Sequence, residues 1–226
     1  KRVSQRPDFL AGFDTGHSFS RDGRVPMSSI SDLQQRLERR DFTLGVIGLG
    51  YVGLPLVRAF ADMGVRVLGF DINDKRVAAL NEGVSDIDRV PSDLLQTYRK
   101  DGRFEATTDF ARLKEADVIN ICVPTPLDRH QQPDLSHVVA TGEVIANSLR
   151  PGQLIILQST TFPGTTAEVL EPILEKTGLK RGHDYLLAFS PEREDPGNAT
   201  HNFSNTPKVV GADDDASRQA AVTVFE

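Results

Sequence analysis

From Thr43 onward, short apolar runs alternate with amphipathic stretches. TLGVIGL (43–49) has the length and continuity of a buried strand. YVGLPLVRAFADMG (51–64) carries its apolar residues at helical spacing and stops at Gly64. The same alternation continues with VRVLGFD (65–71) as a strand and NDKRVAALNEG (73–83) as a helix capped by Asn73. PSDLLQTYRKDG (91–102) reads as a helix, RFEATTD (103–109) as a strand and FARLKEA (110–116) as a short helix. DVINICVPTP (117–126) is a strand that breaks at Pro124, followed by the long helix DLSHVVATGEVIANSLRPG (134–152). QLIILQST (153–160) is a strand, GTTAEVLEPILEKTG (164–178) is helical despite Pro172, and DYLLAFSPE (184–192) is a strand. PKVVGA (207–212) reads as a last strand, and DDDASRQAAVTVFE (213–226) starts a helix. Upstream, SSISDLQQRLERRDF (28–42) is a helix with Ser31 as its cap and Ile30, Leu33 and Leu37 on one face.

Strands that alternate with helices in this way form βαβ units. The predicted fold is therefore α/β: a doubly wound, mainly parallel sheet with helices on both faces, Rossmann-like. Residues 1–27 break the pattern. They are mixed polar with scattered Gly, Pro, Ser and Asp, and read as a flexible leader or tag ahead of a domain over 28–226.

Charge and cysteine content narrow the setting. Residues 1–40 hold eight Lys and Arg against five Asp and Glu, a net +3, which leaves −9 for the rest of a chain totalling −6. That acidic balance argues against nucleic acid as a partner. No apolar run reaches the ~20 residues of a membrane span, and no signal peptide is visible. The single cysteine, Cys122, leaves no intrachain disulfide and points to a cytoplasmic location. The histidines, at 17, 130, 137, 183 and 201, show no metal-ligand spacing, so no metal is assigned.

The chemistry-bearing stretch is GVIGLGYVGLPLVRAF (45–60). Gly48, Gly50 and Gly53 stand at Gly-x-Gly-x-x-Gly spacing, after a strand and at the start of a helix. In that context Gly48 makes the tight turn, Gly50 lets the backbone approach a pyrophosphate, and Gly53 permits close helix–strand packing. The helix N-terminus offers N–H groups and partial positive charge to the phosphates. Asp71 ends the second strand, 23 residues after Gly48, where its carboxylate accepts from the adenosine ribose hydroxyls and repels a 2′-phosphate. NAD is thus the expected cofactor in preference to NADP. Lys75 and Arg76 would weaken that preference if they faced the ribose; the plainer reading is solvated helix-surface charge.

GVIGLGYVGLPL resembles the UDP-glucose/GDP-mannose dehydrogenase family, the nucleotide-sugar 6-dehydrogenases. FDIN (70–73), ICVPTPL (121–127), PDLSHV (133–138), STTFPGTT (159–166) and FSPEREDPGN (189–198) agree in the same order, from about residue 30 to the end. The last two look most like the UDP-N-acetylglucosamine branch. UDP-glucose members carry Asn-Pro-Glu-Phe-Leu-x-Glu-Gly at the final motif, where Arg193, Glu194 and Pro196 stand here.

The resemblance implies NAD-dependent oxidation of C6 of a UDP-sugar to the uronic acid, for polysaccharide precursors. Two hydride transfers would pass through an aldehyde and a cysteine thioester, which water then releases. It further implies that Gly48, Gly50, Tyr51, Val52 and Gly53 line the pyrophosphate and that Asp71 takes the ribose. Val123, Pro124 and Thr125 would pass the cofactor, with Ser159 near the nicotinamide. Thr160 would help position a catalytic water, Glu192 would be the base of thioester hydrolysis, and Arg193 and Glu194 would sit by the substrate. On sequence alone, Ser159 and Thr160 read equally as a strand end and helix cap, and Glu192 with Arg193 as a surface ion pair. Cys122 lies in an apolar strand, where a thiol is inert; the family's nucleophile belongs to a later Gly-rich segment that these residues do not contain.

The resemblance also implies a homodimer or higher oligomer built through a central helix beyond this domain. The chain alone is then expected to be inactive. UDP-glucose or UDP-N-acetylmannosamine as substrate remains open, as do a non-catalytic NAD-binding module and a tethering role for the N-terminal segment.

Overall fold

A computed structural model describes residues 29–127, 129, 131–192 and 207–226. Six strands form one sheet: β1 (Thr43–Ile47), β2 (Arg66–Phe70), β3 (Phe104–Thr107), β4 (Val118–Ile121), β5 (Gln153–Leu157) and β6 (Tyr185–Phe189). Their order is β3-β2-β1-β4-β5-β6, and every pairing is parallel. The chain runs outward from β1 to β3, returns across the sheet, and runs outward again from β4 to β6. The order therefore reverses between β1 and β4, and the crevice there opens at the C-terminal strand ends.

The helices cover both faces. Helices α1 (Ser29–Glu38), α2 (Gly53–Asp62), α3 (Asp74–Asn81), α4 (Ser92–Lys100) and α7 (Asp215–Phe225) pack against Leu44, Val46, Val67, Leu154, Ile156 and Leu186. Against the other face lie a 3-10 turn (Phe110–Glu115), α5 (Ser136–Ala146) and α6 (Glu171–Glu175), over Ile47, Leu68, Ile119, Ile155 and Leu187. Both faces are covered, so β5 (QLIIL) is buried at every position rather than alternating.

Local signals account for much of this. Asn73 caps α3, its Oδ1 accepting from the N–H groups of Lys75 and Arg76 at 3.1 Å each. Gly64 follows α2 at φ +84°, a turn that favours glycine. The helix through Pro172 survives by changing its winding, π over Thr165–Leu170 and α from Glu171, so the missing Pro172 N–H falls at the junction.

Three expectations are corrected. Ser31 does not precede α1 but lies inside its first turn, because the helix already runs from Ser29. β4 ends at Ile121 rather than at Pro124, since the chain there leaves the sheet to form the crevice wall. PKVVGA adds no seventh strand: Gly211 makes one antiparallel bridge to Phe189, with reciprocal bonds of 2.8 and 2.9 Å. FARLKEA winds as a 3-10 turn, with Asp109 accepting from Ala111 N–H.

At the opposite end of the sheet, buried Asp117 binds Arg36 of α1 through two 2.7 Å bonds. It also accepts from Arg150 at 2.9 Å and from the Thr43 N–H at 2.9 Å. That carboxylate ties α1, β1 and the entry to β5 together.

Candidate functional site

The glycine loop turns where β1 leaves the sheet. Gly48 holds φ +92°, and a Cβ there would lie 2.6 Å from the Cys122 carbonyl oxygen, so the turn admits only glycine. Gly53 opens α2, where a Cβ would lie 1.8 Å from the Gly48 carbonyl oxygen. A Cβ on Gly50 would meet nothing within 4 Å, so its bare backbone faces open space. No side chain caps α2 at Val52, and its N-terminus points to the same space.

Asp71 stands across the loop. Its Oδ2 accepts from the Leu49 N–H at 3.0 Å and its Oδ1 from the Asn73 N–H at 2.9 Å. The carboxylate is thereby oriented by two backbone donors, and each oxygen retains a lone pair for a hydroxyl. Arg76 is not a solvated charge: its guanidinium donates to the Leu49 carbonyl at 2.9 Å and pairs with Asp86. It braces the loop and is already engaged by an acid. Tyr51 and Ile72 are 73 and 84 % exposed.

The far wall comes from the ends of β4, β5 and β6. Ser159 is buried and donates to the Val123 carbonyl at 2.7 Å. The Thr125 hydroxyl donates to the Thr160 carbonyl at 2.6 Å, tying the two strand ends. The Thr160 side chain is exposed, and the Glu192 N–H donates to the Gln158 carbonyl at 3.2 Å. The Cys122 thiol is buried against Oε1 of Gln158 at 3.4 Å. Burial pushes its pKa up, and nearby Glu192 adds to the effect.

These residues share one cavity of about 910 Å³. It is lined by Gly48, Gly50, Tyr51, Val52 and Asp71 on one side, and by Val123, Pro124, Thr125, Ser159, Thr160 and Glu192 on the other. Its volume lies at the upper end for small-molecule sites, suited to an extended dinucleotide. Gly53 lies beneath the lip, buried under the loop. Arg193 and Glu194, like residues 1–27, lie outside the described residues. The sequence reading missed Gln158, Lys208, and the bracing roles of Leu49 and Arg76. Gln158 sits one residue before a quoted motif, whereas Lys208 meets Glu192 only in three dimensions.

Ligands of parallel sheets bind where the strand order reverses, and the glycine turn stands at that reversal: the domain is of the dinucleotide-binding class. Residues 42–226 match the NAD binding domain of the UDP-glucose/GDP-mannose dehydrogenase family, and the chain belongs to that family. The cofactor of such a domain is NAD, and the bare Gly50 backbone and the oriented Asp71 fit it. The chain is 39% identical over 172 residues to a UDP-N-acetyl-D-glucosamine 6-dehydrogenase of Pseudomonas aeruginosa, covering 76% of this chain and 40% of that protein. It is 34% identical over 173 residues to a UDP-N-acetyl-D-mannosamine dehydrogenase of Pyrococcus horikoshii, covering 74% and 40%. Among solved structures, an NDP-N-acetyl-D-galactosaminuronic acid dehydrogenase of Methanosarcina mazei superposes with a TM-score of 0.78 at 35% identity, covering 88% of this chain and 44% of that one. The chain thus spans about two fifths of the length of the curated relatives it matches. No helix among the described residues is long and apolar enough to cross a membrane.

Proposed function

We propose that this chain is the NAD-binding half of a nucleotide-sugar 6-dehydrogenase. The carrying observation is the convergence of the glycine turn, Asp71, Thr160 and Glu192 on one cavity at the reversal of the sheet. In this reading the domain comprises residues 28–226. Gly48, Gly50, Tyr51, Val52 and Gly53 form the pyrophosphate turn, and Asp71 accepts from the ribose. Val123, Pro124, Thr125 and Ser159 wall the nicotinamide end. The cofactor supplies the hydride acceptor. Thr160 holds a water, and Glu192 takes its proton during hydrolysis of the acyl intermediate. Arg193 and Glu194 contact the sugar nucleotide. The nucleophilic thiolate comes from a substrate half outside these 226 residues.

UDP-N-acetylglucosamine is the favoured substrate and a uronic acid for polysaccharide synthesis the product. Support comes from the Ser-Pro-Glu-Arg run at 190–193 and from the 39% identity to the Pseudomonas enzyme, against 34% for the mannosamine enzyme. The enzyme acts as a cytoplasmic homodimer or higher oligomer.

Calorimetric titration of the chain with NAD⁺ and NADP⁺ tests the cofactor half, with saturable and tighter binding of NAD⁺ expected. NADH formation by the full-length enzyme with UDP-N-acetylglucosamine, UDP-N-acetylmannosamine and UDP-glucose tests the substrate. Turnover of none of the three would leave a binding module.

A further inference from the structure

Glu192 and Lys208 are 16 positions apart in sequence and meet beside the cavity. Nζ of Lys208 lies 3.7 Å from Oε1 of Glu192, and their side chains are only 11 and 8 % exposed. The backbone holds both ends in place. The Glu192 N–H donates to Gln158, and Lys208 lies three residues before the Gly211–Phe189 bridge. The ammonium also lies 5.8 Å from the ring centroid of Phe225 on α7.

Stability alone does not account for this pair. Removing two charges from water costs as much as their attraction returns, and apolar residues of similar volume would serve the core as well or better. Ordering a lysine side chain adds an entropic cost. What the pair does supply is a fixed, negatively charged carboxylate on the cavity wall. Glu192 lines that wall, and its charge reaches the buried Cys122 thiol.

We infer that Lys208 is a positioning residue for Glu192: its ammonium holds the carboxylate in place on the cavity wall. The inference rests on the reading of Glu192 as the hydrolytic base. Lys208 itself donates no proton and touches no reacting atom. It acts only through the carboxylate it holds.

Two measurements test it. In the 226-residue chain, Lys208→Met takes the ammonium away from a buried carboxylate, so its melting temperature is expected to fall. Adding Glu192→Gln removes that buried charge, and the double variant is expected to melt above Lys208→Met alone. No recovery would overturn the pairing. In the full-length enzyme, Lys208→Met is expected to lower kcat for acid formation at least tenfold with KM for NAD⁺ changed less than twofold, and Lys208→Arg to restore most of the rate. In the Glu192→Gln background, Lys208→Met should cause no further loss, because the group it acts through is gone. A full additional loss in that background would overturn the positioning role while leaving Glu192 as base. A Glu192→Gln enzyme with wild-type kcat would instead remove the base assignment itself. If Lys208→Met does not fold, Lys208→Arg and the double variant carry the same comparisons.

Discussion

The Leu49 N–H donates to Oδ2 of Asp71 at 3.0 Å, joining the glycine turn to the end of β2. The acid proposed to take the ribose therefore also shapes the loop proposed to take the phosphates. Asp71→Ala removes both contributions at once. Hydrogen bonds to a charged acceptor are worth about 1.5–3 kcal/mol each. NAD⁺ affinity is expected to fall roughly 10- to 100-fold by calorimetry, and the preference over NADP⁺ to narrow. Unchanged NAD⁺ affinity in Asp71→Ala would sink the ribose assignment.

Two glycines of the same loop are predicted to fail in opposite ways. A Cβ on Gly53 would overlap the Gly48 carbonyl, whereas one on Gly50 meets nothing within 4 Å. Gly53→Ala forces α2 off the loop and should cost about 1–3 kcal/mol or more of stability. Gly50→Ala is expected to melt with the wild type yet lose NAD⁺ binding, because the methyl occupies the space proposed for the pyrophosphate. Paired thermal melts and titrations of the two variants separate packing from ligand approach.

The buried Asp117 carboxylate lies outside the lining of the glycine-turn cavity; it locks α1 to the sheet through Arg36, Arg150 and the Thr43 N–H. Its side chain is 3 % exposed, while the two guanidiniums are about one third exposed. Asp117→Asn keeps the shape but loses the charge, so a destabilisation on the order of 2 kcal/mol is expected, below the full cost of breaking a wholly buried pair. Denaturant unfolding measures it. Hydrogen exchange should show α1 loosening first.

The contrast between Asp71 and Asp117 shows what was legible in the chain. Asp71 ends a strand at a set distance from a glycine turn, and Asn73 caps a helix through bonds two and three residues on. Such local signals gave the sheet class, the Gly48 turn, the close packing at Gly53 and most of the cavity wall. Asp117 joins partners 33 to 81 positions away, and Lys208 meets Glu192 across a long segment, so nothing in their neighbourhoods announces either. PKVVGA misled for a related reason. Its β-branched Val209–Val210 pair suits a strand, yet it makes only the single bridge at Gly211 to the edge strand β6.

Arg112 makes stability sensitive to acid. It donates to Glu115 at 2.8 Å and to Glu105 at 2.6 Å, and these hydrogen bonds hold both carboxyls below their ordinary value of 4.5. For a lowered pKa the stabilisation is complete above 4.5 and is lost as pH falls through the lower folded value. Arg112→Met should therefore melt below the wild type at neutral pH, with the gap closing as pH falls below 4.5 through the lowered folded values. A gap independent of pH would mean that the ion pairs contribute nothing.

Cys122 is the one cysteine of these 226 residues, and its surroundings argue against the nucleophile's role in the proposed reaction. The thiol is buried, its Sγ lies 3.4 Å from Gln158 Oε1, and burial together with the Glu192 charge pushes its pKa up. Lys208 opposes the shift without reversing it. Only the thiolate attacks carbonyls or alkylating reagents. In the folded chain at neutral pH, iodoacetamide is expected to leave Cys122 intact for hours, with one equivalent reacting on unfolding in guanidinium. Mass spectrometry reads the count. Rapid stoichiometric alkylation of the folded chain would place an accessible thiolate in the cavity and return Cys122 to the list of candidate nucleophiles.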